Sequence, residues 1–140
     1  MNIHEIAQFS KIKGLNLVGT GDFTHPRWLE EIRDSLEEVD ESGLYRMRTK
    51  PNSSVSFVLS AEVCTVFEFQ NKPRKIHHVI LTPKMELVEQ LNDRLQRRGD
   101  LDVDGRPTLK MTAPELADEV IAVSLDNLIF PAHAWTPWYS

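Results

Sequence analysis

The 140-residue chain contains one cysteine, Cys64, so an internal disulfide is excluded and a reducing compartment suits it. Cys64 lies in an apolar stretch, where a thiol behaves as a small buried hydrophobe. Positive charge is not in excess. Sixteen Lys and Arg against 21 Asp and Glu give a net charge of −5 and a pI near 5.5, so no global field advertises nucleic acid and any such contact must be local. Long apolar runs are missing too, and the residues after Met1 lack the basic start and apolar core of a secretory signal. A cytoplasmic protein with no membrane partner is expected. The chain has no GxxxxGK[ST] phosphate loop, so ATP-driven work has no support. It also has no internal repeat or low-complexity tract. What is present is ordinary for a globular protein: 41% hydrophobic and 26% charged residues, enough for one domain over residues 1–140 with a real core.

The chain is organised around residues 14–26, GLNLVGTGDFTHP. Leu15, Leu17 and Val18 form a short apolar run that reads as a buried strand ending at Gly19-Thr20-Gly21. Pro26 fits the first turn of a helix, with Thr24 or His25 at its cap. Asp22 and His25 are thereby delivered to the C-terminal end of a strand, the rim at which α/β folds bind ligands. A carboxylate and an imidazole three residues apart are candidate metal ligands or a catalytic acid/base pair. The plainer alternative is a turn aspartate and a helix cap.

Around this motif the pattern alternates. Residues 3–13 carry a helical stripe with Gly14 as C-cap. A helix follows Pro26 to about Glu38, with Trp28, Leu29, Ile32, Leu36 and Val39 on its apolar face. Residues 44–47 read as a short strand, 50–54 as a loop, and 56–69 as a long β segment. A turn over 70–74 and a strand over 75–81 make a hairpin. A helix starts at Thr82-Pro83 and ends near Gly99. Residues 100–107 are a loop, and Thr112 with Glu115 has the spacing of a capping box for the next helix. Residues 126–130 read as another buried strand. The expected class is α/β, interrupted by one β-hairpin.

Chemistry-bearing residues recur at the strand ends: Asp22 and His25, then Glu62, then His133, with His77 and His78 on the hairpin's return strand. These types suit divalent zinc, manganese, magnesium or iron. Adjacent strand residues face opposite ways, so only one of His77 and His78 can enter a shared site, and the apolar run after them does not fix which. Arg74 on the hairpin and Arg106 in the loop, with Lys72, Lys75, Arg94, Arg97 and Arg98 near them, are candidate phosphate contacts, or else a solvated surface. Trp135, Trp138 and Tyr139 are either core residues or a stacking surface for an exposed base.

GTGDFTHP, LSAEV, KIHHVIL, DGRP and PAHAWTPW together resemble the PHP (polymerase and histidinol phosphatase) superfamily, in particular its endonuclease Q-like branch. The resemblance runs from about Ile12 onward. It implies a distorted β/α barrel, here incomplete, with a two- or three-metal site that hydrolyses phosphoesters through a metal-activated water. In intact relatives it implies DNA as partner and nicking beside deaminated bases such as uracil and hypoxanthine. It places Asp22 at the second-motif aspartate, with Phe23 where a histidine is usual and His25 as its replacement. Glu62 takes the bridging glutamate, His77 or His78 the following histidine, and His133 that of the third motif. The family's opening His-x-His and closing Asp-x-His have no counterpart here. The chain thus reads as an internal fragment whose open strand edges favour self-association. The alternatives are a non-catalytic remnant or binding module, and an amidohydrolase-like hydrolase of small molecules.

Overall fold

The computed structural model describes residues 1–136, and the expectations for Trp138 and Tyr139 lie outside the described residues. Among those residues the elements run α1 (Ile3–Ile12), β1 (Leu17–Gly19), α2 (Pro26–Ser35), β2 (Leu36–Glu38), β3 (Tyr45–Met47), β4 (Ser56–Phe69), β5 (Lys72–Thr82), α3 (Met85–Leu95), β6 (Thr108–Lys110), α4 (Ala113–Val123) and β7 (Leu128–Pro131). The class is α/β, and the seven strands form one open, mixed sheet in the order β2-β3-β4-β5-β7. The 14-residue β4 is its axis. Its first half pairs with β1 (parallel) and β3 (antiparallel), and its second half with β5 (antiparallel) and β6 (parallel).

One face of β4 is packed and the other carries polar groups, as the period of two requires. Phe57, Leu59, Ala61 and Val63 join a core that takes residues from all four helices, including Ile3, Ile32, Leu91 and Leu116. Ser60, Glu62 and Cys64 point to the opposite face. The β4–β5 hairpin closes through Gln70 and Asn71, both with positive φ (53° and 57°), the conformation that a two-residue turn needs to match strand twist. The turn is therefore shorter than the expected 70–74, and β5 begins at Lys72.

Helix ends follow local chemistry. α1 has a capping box from Asn2 and Glu5. It stops at Gly14 (φ 72°) through Gly14 N–H to Lys11 O and Leu15 N–H to Ser10 O, the paired bonds of a Schellman motif. Thr112 and Glu115 form the expected capping box of α4.

Four expectations are corrected. The helix after Pro26 ends at Ser35, because Leu36 turns extended into the core and Glu37 pairs with Arg46 of β3 across a two-stranded ladder. Thr82 is the last residue of β5, so α3 starts three residues later than expected. Residues 108–110 form a strand where none was expected. Finally, β1 and β7 are not buried: Leu17 is 53% and Leu128 59% exposed. Each has a single strand partner among the described residues, and the registers Leu17↔Ser56, Leu128↔Leu81 and Phe130↔Val79 place these side chains on the face away from the helices.

Candidate metal centre

The hairpin register separates the two adjacent histidines. Residues directly opposed across a ladder share a face. Cys64 opposes His77 and Glu62 opposes Val79, so His77 stands with Glu62, while His78 opposes Val63 on the core side. His78 is buried, with Nε2 3.0 Å from Thr65 Oγ1. Burial, and secondarily the neighbouring His77, pushes its pKa down and keeps it neutral. It is a core histidine.

His133 reaches the same face from β7. Ala132 N–H donates to His77 O at 2.9 Å, extending the β5–β7 ladder by one residue. His133 then turns back with φ 37°, a left-handed conformation that non-glycine residues adopt at some cost. Thr136 holds that turn by donating its N–H (3.0 Å) and hydroxyl (2.6 Å) to His133 O.

Three ligand atoms consequently converge. Glu62 Oε1 lies 3.2 Å from His77 Nδ1 and 3.3 Å from His133 Nε2, and the two nitrogens are 3.2 Å apart. A tetrahedral ion held at 2.0–2.1 Å separates its ligands by about 3.3–3.4 Å, so this near-equilateral triangle fits one face of a coordination shell. One carboxylate and two imidazoles suit a divalent ion of hard-to-borderline character. All three side chains are about a quarter exposed or less, leaving one side of the triangle open.

Arg106 completes the immediate surroundings, with Nε 2.7 Å from the same Glu62 Oε1. Burial alone would raise the Glu62 carboxyl. The hydrogen bond and charge of Arg106, with help from His133 and His77, outweigh it and hold the pKa below the usual range. Cys64, beside them, is buried and its thiol is pushed up by desolvation, so it is an unreactive wall residue.

Asp22 and His25 are not part of this triangle. They line a neighbouring cleft of about 300 Å³ with Arg27, Trp28, Glu31, Asp104 and Gly105. Ser60 fixes the turn that carries them: its Oγ accepts from Gly21 N–H (2.8 Å) and its carbonyl from Phe23 N–H (3.2 Å). A Cβ on Gly19 would fall 2.5 Å from Ser60 Oγ, which explains glycine there. Asp22 has φ 42°, and His25 caps α2 with its backbone, not its ring. His25 Nε2 lies 3.6 Å from Asp102 Oδ1, while Nδ1 is buried without a hydrogen-bond partner among the described residues. The 96–107 connection thus touches both places, through Asp102, Asp104 and Gly105 on one side and Arg106 on the other.

The suggested phosphate contacts divide. Arg74 is exposed at the hairpin, opposite Phe67, whereas Lys75 opposes Val66 and shares the face of His77. Arg94 pairs with Glu119 at 2.7 Å and, with Arg97 and Arg98, lines a separate cleft. Trp135 is 97% exposed. A wider cleft, about 910 Å³ between α1 and residues 50–54, holds none of the candidate ligands. The sequence reading missed the direct bond of Arg106 to Glu62 and the role of Ser60. The only advance signal for the second was the pair of glycines at 19 and 21.

No protein-family profile matches the chain. "Uncharacterized protein MJ0043" of Methanocaldococcus jannaschii is 35% identical over 138 residues, which is 98% of this chain and 14% of that protein. The crystal structure of the lesion-specific endonuclease PfuEndoQ from Pyrococcus furiosus superposes with a TM-score of 0.81 at 33% identity, covering all of this chain and 32% of that one. Endonuclease Q in complex with a 27-mer duplex bearing an abasic lesion at its active site gives 0.80, with the same identity and coverage. Over its whole length the chain is similar, in sequence and in fold, to about a third of endonuclease Q.

Proposed function

We propose that residues 1–140 are the metal-binding part of a PHP-type phosphoesterase, an incomplete distorted β/α barrel whose intact relatives nick DNA at deaminated bases such as uracil and hypoxanthine. The observation that carries this reading is the triangle of Glu62, His77 and His133, with edges of 3.2–3.3 Å. The similarity to a lesion-specific endonuclease supports DNA as the substrate class in this reading. A divalent ion, when bound, polarises a phosphoryl oxygen and lowers the pKa of an attacking water. The chain's own residues do the rest. Glu62 offers a carboxylate oxygen that stays ionised at neutral pH, and His77 and His133 each offer a ring nitrogen. The β4–β5 register sets the face from which Glu62 and His77 project. Lys75, on the same face as His77, is positioned to attract a phosphate. Asp22 and His25, in the cleft on the other side of the 96–107 connection, are the candidates for a second ion or for proton transfer.

A second reading is favoured by a different observation. Leu17 of β1 and Leu128 and Phe130 of β7 lie exposed on the face that carries the triangle. That arrangement suits a scaffold or binding module that associates with itself or with a further polypeptide through open edges. One experiment separates the two. After incubation with manganese or zinc, metal per chain is measured for the wild type and for Glu62→Ala. The phosphoesterase reading expects about one ion that the variant loses, followed by nicking of duplex DNA containing uracil, hypoxanthine or an abasic site. Equal metal in both proteins leaves only the scaffold.

A further inference from the structure

We infer that Arg106 is an internal counter-cation of the metal centre, which a divalent ion must displace and whose displacement frees the 100–107 loop. The inference rests on the metal reading above and adds a control element to it. The guanidinium bonds the one oxygen, Glu62 Oε1, on which both histidine contacts also converge. A carboxylate oxygen has two lone pairs. Arg106 Nε at 2.7 Å occupies one at short, charge-assisted distance, while the imidazole nitrogens crowd the other. An ion bound to this oxygen would face a full positive charge across a single atom, in a part-buried place where solvent screens it incompletely.

The arginine is well placed to leave. Its side chain is half exposed, and Glu62 is its one recorded acceptor among the described residues. It follows Gly105, whose φ of 87° only glycine adopts readily. The loop is also held by Leu101, buried in the core, by Asp102 beside His25, and, one residue after Arg106, by the donation of Cys64 N–H to Pro107 O at 2.9 Å. Between the anchors at Leu101 and Pro107, the bond to Glu62 is the side-chain tether over the triangle, and Asp102 is the tether over the Asp22–His25 cleft. Release of Arg106 leaves a mobile cation beside the bound ion, in reach of a phosphate approaching the open side.

The test uses the full chain and the metal alone. Manganese and zinc affinities are measured calorimetrically for wild type, Arg106→Gln, Arg106→Lys and Arg33→Gln, with backbone hydrogen exchange of residues 100–107 followed with and without metal. Thermal melts confirm that each variant is folded. Displacement predicts that Arg106→Gln binds metal about tenfold more tightly, with Arg106→Lys between it and wild type and Arg33→Gln, at an exposed arginine of α2 paired with Glu89, close to wild type. It also predicts that metal speeds loop exchange in wild type, and that the loop of Arg106→Gln is fast from the start. Equal or weaker binding by Arg106→Gln, with loop exchange indifferent to metal, overturns the inference and makes Arg106 a residue that orients Glu62. Absence of metal from every variant, wild type included, instead removes the metal centre itself.

Discussion

The two sides of the β4–β5 hairpin are built from alternate residues of the same two strands, yet they follow opposite rules. On the helix side Phe57, Leu59, Val63, Ile80 and His78 are almost wholly buried, and the one polar ring among them has its hydrogen bond to Thr65. On the other side Glu62, His77 and Val79, with Phe130 of the adjoining β7, keep partial access to solvent, and the polar groups crowd one another instead of finding separate partners. Three nitrogens, from Arg106, His77 and His133, aim at one oxygen. A side chain on the first side is explained by packing. On the second side the arrangement makes sense as preparation for something that the fold itself does not supply.

Truncations at matched aromatic positions should give the widest separation between the sides. Phe57→Ala removes a ring with no exposed surface and should cost about 3–5 kcal/mol in urea unfolding. Phe130→Ala, on a ring 45% exposed, should cost no more than about 1 kcal/mol. Similar costs for the two would mean that the open face is packed in solution, for example by a second copy.

The adjacent histidines offer a finer cut. His78→Ala leaves a small cavity and strips Thr65 of a buried partner, so unfolding should be easier by about 1–3 kcal/mol while bound manganese or zinc is unchanged. His77→Ala should do the reverse, moving stability by less than about 1 kcal/mol and abolishing the ion. If His78→Ala lost the metal and His77→Ala did not, the register that assigns the two faces would be wrong.

Sequence patterning made much of this legible, and its failures share a cause. Long amphipathic elements with caps were readable, as α1, α4 and the hairpin show, because local chemistry decides them. Short segments were not. Leu36 and Val39 continue a helical spacing, but a cross-strand partner, Arg46, overrides it. Leu15, Leu17 and Val18, in and just before β1, look buried, yet a strand's exposure depends on what lies over it, which no local pattern encodes. In the site, residue types were enough to nominate Glu62, His77 and His133. Choosing His77 over His78 needed the register, and separating Asp22 and His25 from the triangle needed the turn held by Ser60. The bond of Arg106 to Glu62 spans 44 positions, so no spacing argument could reach it.

The smallest effect belongs to the packed side and provides a baseline free of metal chemistry. Glu115 accepts from Thr112 N–H at 2.7 Å and from its hydroxyl at 2.9 Å, at the start of α4. Those bonds hold its carboxyl below the usual pKa of 4.5. A carboxyl whose folded pKa is depressed contributes stability above the unfolded value, and that contribution fades as pH falls through the folded one. Wild type should therefore melt slightly above Glu115→Gln at pH 7, and the gap should close under acid conditions below the ordinary glutamate range. The gap should also be the same with and without manganese, because the capping box contributes no ligand to the triangle. A metal-dependent gap would show that α4 and the open face are coupled, and that the two sides of the sheet do not respond independently.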